Sequence, residues 1–134
     1  MKREDLLKEA RIAMQRSYSP YSHCKVGAAL LTKDGRVFHG CNIENAAYGP
    51  TMCAERTAIF KAVSEGITEF EMLAVVGGKD GIEDGIYPPC GTCRQVFREF
   101  CSLDFPIILG KQDGFVETTL GELLPYSFGP ENLE

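Results

Sequence analysis

Thr51-Met52-Cys53-Ala54-Glu55-Arg56 sets a cysteine, a carboxylate and an arginine into the first turn of a helix, and Pro88-Pro89-Cys90-Gly91-Thr92-Cys93-Arg94 repeats that arrangement about one supersecondary unit later. Thr51 is the expected N-cap of the first helix, which runs to Glu65 and stops at Gly66, with Ala54, Ala58, Ile59, Ala62 and Val63 as its apolar face. Met72 to Val76, between the two clusters, reads as a central strand. Gly77 to Tyr87 reads as a Gly- and Asp-rich loop that Pro88-Pro89 ends stiffly, before a further helix from Gly91 to Cys101. Strands separated by helices of this length argue for crossover connections and a mixed sheet sandwiched by helices, which makes the fold class α/β in three layers, α-β-α.

The flanking segments fit that frame. Leu6, Leu7, Ala10, Ala13 and Met14 recur at helical spacing, so Arg3 to Ser17 reads as an amphipathic packing helix. Ser19-Pro20-Tyr21-Ser22-His23-Cys24 has turn composition and is expected to be a loop. Val26 to Thr32 and Val37 to Cys41 read as strands joined by a tight Lys33-Asp34-Gly35-Arg36 hairpin, and Asn42 to Pro50 as a polar loop after them. A strand from Pro106 to Leu109, a turn at Gln112-Asp113-Gly114, a strand from Phe115 to Thr119 and a short helix from Leu120 to Leu124 complete the pattern. The polar tail from Tyr126 to Glu134 carries one apolar ring of note, Phe128, which is exposed unless something covers it.

With 134 residues, 44% apolar and 25% charged, the chain is expected to form one globular domain over residues 1–134. A net charge of −5 offers no basic footprint for a phosphate backbone, so no nucleic-acid partner is expected. No stretch suits a membrane, and Met1-Lys2-Arg3-Glu4-Asp5 lacks the apolar core of a signal peptide. The expected location is the cytoplasm. There, six cysteines are better explained as metal ligands and small buried hydrophobes than as disulfides.

Cys90 and Cys93, three apart at a helix start, place their sulfurs on one face, where amide donors and the positive helix end favour thiolates. Cys53 occupies the matching end of the other helix. Three protein ligands leave one tetrahedral position free, the arrangement of a catalytic zinc, which lowers the pKa of a water there to about 7. Arg56, with Arg94 as a further candidate, can offset the net charge of −1 that three thiolates leave on such a site. Glu55, two residues from Cys53, is positioned for proton transfer rather than ligation. Two alternatives stand beside this reading: a Cys-x-x-Cys redox dithiol, and a structural zinc with Cys41, Cys24 or Cys101 as fourth ligand.

Cys53-Ala54-Glu55 with Pro89-Cys90-Gly91-Thr92-Cys93 resembles the zinc deaminase signature. Val26-Gly27-Ala28-Ala29, Gly40-Cys41-Asn42-Ile43-Glu44-Asn45-Ala46-Ala47-Tyr48 and Leu123-Leu124-Pro125 are similar to the small homotetrameric cytidine deaminases, and the likeness runs nearly end to end. The resemblance implies a five-stranded sheet flanked by helices, and one zinc per chain on Cys53, Cys90 and Cys93. It also implies hydrolytic deamination of cytidine and deoxycytidine in pyrimidine salvage. Cysteine at the first ligand position looks like the free-nucleoside group, whereas deaminases of RNA and DNA usually carry histidine there.

Carried over by position, the resemblance gives Asn42 and Glu44 the sugar 3′-hydroxyl, and gives the pyrimidine edge to the backbone at Ala54 with the Glu55 carboxyl. Ala46 and Tyr48 would reach a neighbouring subunit's sugar, and Phe128 would close over a base bound in another subunit, so that active sites are shared across the tetramer. The likeness fails at one substrate-binding position, where Cys24 stands in place of a phenylalanine that packs on the base. On a loop able to shift, Cys24→Phe is expected to regain roughly two- to tenfold in kcat/KM.

Overall fold

A computed structural model describes residues 1–134. The elements, in order, are α1 (Arg3–Met14), β1 (Cys24–Thr32), β2 (Val37–Cys41), α2 (Ala54–Ser64), β3 (Phe70–Lys79), α3 (Gly91–Phe100), β4 (Pro106–Lys111), β5 (Gly114–Thr119) and α4 (Leu120–Leu123), and a 3-10 turn (Pro130–Leu133) follows. The strands form one mixed sheet of five in the order β2-β1-β3-β4-β5. Only β3 and β4 run parallel, joined by the α3 crossover, and the other pairs are antiparallel. The five-stranded, helix-flanked α/β architecture expected from the sequence is the one observed.

β3 shows why its sequence is apolar without alternation. Met72, Ala74 and Val76 pack with Leu6, Leu7, Ala10 and Met14 of α1 on one face of the sheet. Leu73 and Val75 pack with Ala58, Ile59 and Phe97 of α2 and α3 on the other. A strand buried on both faces has no polar side to show.

Several boundaries differ from the sequence reading. Helix α1 ends at Met14 rather than Ser17. The N-cap of α2 is Cys53, not Thr51, because Met52 is held in an extended bridge with Ile43 that delays the first helical residue to Ala54. The Thr51 hydroxyl instead accepts the Asn45 N–H at 3.1 Å. Gly77 and Gly78 belong to β3 rather than to a loop, since β1 begins at Cys24 and supplies pairing partners as far as Lys79. Available partner strand outweighs glycine's weak strand preference. Cys24 therefore opens a strand, on the same sheet face as Val26, and the mobile loop setting expected for it is absent.

Gly40 of β2 fixes how closely α2 can approach. A Cβ at this position would lie 2.1 Å from the Ala54 carbonyl oxygen and 2.6 Å from the Ala58 nitrogen, so the first turn of α2 sits directly on the strand backbone. Gly40→Ala is expected to push that turn outward, lower stability by about 1–3 kcal/mol and weaken metal retention at Cys53. Chemical denaturation together with metal analysis checks it, and a variant with wild-type stability and full metal content would show that the contact is not needed.

Candidate metal centre

Local pairing brings the three sulfurs together. Ile43 and Met52 exchange backbone hydrogen bonds at 2.9 Å each, returning the chain to the end of β2 so that Cys53 follows at once. Cys53 (φ −77°, ψ 154°) leads into α2, and Cys90 (φ −67°, ψ 168°) leads into α3 with Cys93 one turn further. The Sγ atoms of Cys53 and Cys90 are 3.7 Å apart, those of Cys90 and Cys93 3.6 Å. A tetrahedral zinc with Zn–S bonds near 2.3 Å separates its sulfurs by about 3.8 Å, so this donor set fits zinc in size as well as softness. The cluster stops at three, because no histidine or carboxylate joins it and Cys24, Cys41 and Cys101 lie elsewhere. A four-ligand structural site has no fourth ligand here.

The charges around the sulfurs are arranged to hold thiolate. Both helices direct their N-termini at the cluster, and the Arg56 guanidinium donates to Cys53 Sγ at 3.4 Å. The Cys53 thiol is drawn down to about 5, chiefly by the hydrogen bond from Cys93, with help from Arg56 and Cys90. Cys93, which gives that hydrogen bond and is buried, is pushed well above the ordinary thiol range. The Arg56 Nε is buried and has no acceptor within the chain, a donor that a bound group can satisfy. Arg94 has a different task from the one suggested by its sequence position. It donates to the carbonyls of Pro89 at 2.6 Å and Leu123 at 2.7 Å, tying the Pro-Pro segment to α4.

Glu55 is 4% exposed, in the first turn of α2. Burial raises its carboxyl to about 7; the Cys53 thiolate adds to the rise and Arg56 opposes it. An acid poised near neutrality can both take and give a proton. It faces a cavity of about 200 Å³ whose walls include Asn42, Cys53, Ala54, Tyr87 and Cys90. Sites for drug-sized ligands run from about 300 to 1,000 Å³, so this one suits a single small ring.

Asn42 is fixed in orientation by its neighbours. Its Oδ1 accepts from the Val26 N–H at 3.0 Å and its Nδ2 donates to the Cys24 carbonyl at 2.8 Å, which leaves one amide hydrogen for a ligand. Glu44 and Tyr48, with Tyr21 and Ser22, line an adjoining cleft of about 370 Å³, and Thr51 borders both hollows. The Ser22 hydroxyl, with the backbone N–H groups of Ser22 and Tyr21, holds the Glu44 carboxyl below its ordinary range. Ala46 is exposed, Phe128 is 58% exposed on the tail, and Cys24 lies beside the Tyr87 hydroxyl, so these three stand outside both hollows. The sequence reading missed Val26 and Tyr87 as cavity walls. The available signal was an aromatic residue three positions ahead of Cys90 and followed by two prolines.

A family model for the cytidine and deoxycytidylate deaminase zinc-binding region matches residues 1–108. The cytidine deaminase of Sporosarcina psychrophila is 50% identical over 131 residues, covering 97% of this chain and 93% of that protein. A crystal structure of cytidine deaminase from Burkholderia pseudomallei superposes with a TM-score of 0.88 at 46% identity, covering 96% of this chain and all of that one. A blasticidin-S deaminase of Bacillus cereus is 33% identical over 107 residues, covering 77% of this chain and 76% of that protein.

The raised Glu55 carboxyl has a consequence for stability in the metal-free protein. Its folded value, about 7, lies above the ordinary 4.5, so the stability it contributes is fully present below about 4.5 and is lost as pH rises through about 7. Relative to Glu55→Gln, the wild type is expected to lose roughly 3 kcal/mol across that window. Urea unfolding of both proteins in chelator, at several pH values, measures it. A difference that stays flat with pH would mean that Glu55 is already ionised when folded.

Proposed function

Because the chain belongs to the cytidine and deoxycytidylate deaminase family, its reaction is zinc-dependent deamination of cytidine, and we propose a role for each residue of the site. Cys53, Cys90 and Cys93 hold the zinc, Glu55 moves the protons, and four copies of the chain share their active sites. Deoxycytidine is a second substrate, residues 1–134 act as one catalytic domain, and the cytoplasm keeps the six free cysteines reduced. The observation that carries this reading is a trio of sulfurs at zinc spacing beside a buried carboxyl.

Zinc bound by these thiolates supplies a Lewis acid that makes water acidic enough to react near neutral pH. Glu55 accepts the proton given up as the water oxygen attacks C4 of the pyrimidine, and passes it to N3. It then takes the remaining proton from the hydroxyl now on C4 and delivers it to the exocyclic amine as the C4–N bond breaks, so that water and cytidine become uridine and ammonia. The backbone at Ala54 and the Glu55 carboxyl read the ring edge. Arg56 offsets the charge of the three thiolates through its bond to Cys53. Asn42 and Glu44 hold the sugar hydroxyl, using the amide hydrogen and carboxylate lone pairs that their internal bonds leave free.

Support for a shared site comes from the surface. Tyr48 is 73% and Phe128 58% exposed, and Phe128 borders neither hollow of its own chain. Ala46 and Tyr48 then meet a neighbour's sugar, and Phe128 a neighbour's base.

Glu55→Gln is expected to keep its zinc and lose at least about a hundredfold in turnover of cytidine, followed by ultraviolet absorbance. Fully active protein carrying less than about a tenth of an equivalent of metal would end the zinc assignment. Sedimentation should give a tetramer, and Phe128→Ala should raise KM for cytidine; an active monomer would refute the shared site.

A further inference from the structure

Tyr87 supplies the only aromatic ring on the cavity that holds Glu55 and Cys90. Its position is built rather than incidental. A Cβ on Gly77 would lie 2.7 Å from Tyr87 Cγ and 2.9 and 3.0 Å from its two Cδ atoms, so the ring rests on the bare backbone of β3. Gly77 pairs with Val26, itself a cavity wall, which sets the ring and the Val26 side chain next to each other on one face of the sheet.

The segment that delivers the ring is anchored on the opposite face. Ile82 lies so close over Gly78 that a Cβ there would come 1.7 Å from the Ile82 carbonyl oxygen. Glu83 accepts two hydrogen bonds from Arg11 of α1, at 2.7 and 3.2 Å. Residues 80–87 thus form a strap that passes round the end of the sheet from the α1 side to the metal side and finishes in Tyr87 and the rigid Pro88-Pro89. Burial, followed by the neighbouring Asp84 carboxylate, holds the phenol at about 12, so the ring stays neutral.

We infer that Tyr87 is a specificity-determining residue whose ring packs against the pyrimidine of the substrate and favours a flat, unsaturated ring at this site. Cys24, whose small thiol lies beside the Tyr87 hydroxyl on the same face of the sheet, leaves room for the larger ring. The inference rests on the cytidine reading above, in which the cavity beside Glu55 takes the base.

The test compares inhibition of cytidine turnover by uridine, which is planar, and by 5,6-dihydrouridine, which has the same polar groups on a puckered, saturated ring. Wild type, Tyr87→Phe, Tyr87→Leu and Gly77→Ala are measured with zinc loaded. The wild type is expected to prefer uridine. Tyr87→Phe should keep that preference, and Tyr87→Leu should reduce it by roughly two- to tenfold. Gly77→Ala, which displaces the ring without altering it, should act in the same direction and keeps the question answerable if Tyr87→Leu fails to fold. A purely structural Tyr87 would weaken both inhibitors alike, and an unchanged preference in Tyr87→Leu or Gly77→Ala overturns the inference. Absence of cytidine turnover in the zinc-loaded wild type would instead sink the functional reading, and the inference with it.

Discussion

Three sulfurs at 3.6 to 3.7 Å cannot all be thiolates unless something positive lies among them. At an effective dielectric of about 20, each pair of such charges repels by roughly 4–5 kcal/mol. Without a dication the chain divides the charge unequally, keeping Cys53 ionised and Cys93 protonated. Two helix N-termini and Arg56 can sustain that partial charge but not three full ones. The fold's main construction decisions serve this point. Gly40 lets α2 close on β2, the Ile43–Met52 bridge brings Cys53 to the strand end, and the β3-α3-β4 crossover delivers Cys90 and Cys93.

The same close packing of α2 sets the chemistry of Glu55. Glu44 is the same residue type a short distance along the chain, yet it accepts hydrogen bonds from Ser22 and Tyr21 and is held low. Glu55 is buried beside a thiolate, and although its own backbone N–H and Arg56 act to lower it, burial prevails and it rises to about 7. A zinc ion at the sulfurs acts against that rise, because a nearby dication favours the carboxylate. The proton affinity of Glu55 would thus be set between two opposing influences, and such a balance suits the proposed role of an acid that must also serve as a base.

Apolar periodicity sufficed for the helices and an unbroken apolar run for the strands that pack on both faces, because both are local signals. The convergence of the three sulfurs was legible for a related reason: Cys53 and the Cys90, Cys93 pair each carry their geometry in a short motif at a helix start. Where the reading failed, the cause was a partner distant in sequence. Gly77 and Gly78 look like loop residues until Val26 and Lys25 pair with them. Thr51 looks like a cap until Ile43 holds Met52 extended. Arg94 looks like a partner for thiolates until Pro89 and Leu123 offer carbonyls. Tyr87 was passed over because it follows an aperiodic stretch, and only the sheet end shows what that stretch folds across.

The two hollows that the proposed function gives to ring and sugar are built differently. The cavity assigned to the ring is walled by residues of β1, the loop before α2, the start of α2 and the strap, so one chain supplies its walls and assembly would add only a neighbour's Phe128. The cleft beside it lies between Tyr21 and Tyr48, and Phe128 on the tail is not among its walls. That tail is nonetheless held firmly. Gln95 donates to the Phe128 carbonyl at 2.8 Å, and the buried Arg98 guanidinium bonds Ser127 and Glu131 while lying against Gly129. An exposed ring on an anchored backbone has already lost its backbone freedom on folding, so meeting a second surface costs only the ordering of its side chain. In the proposed tetramer, therefore, assembly completes both sides of each site, with a neighbour's Ala46 and Tyr48 at the sugar and its Phe128 over the base. Weakening the assembly should then reduce affinity for the nucleoside while the chemistry at Glu55 stays intact.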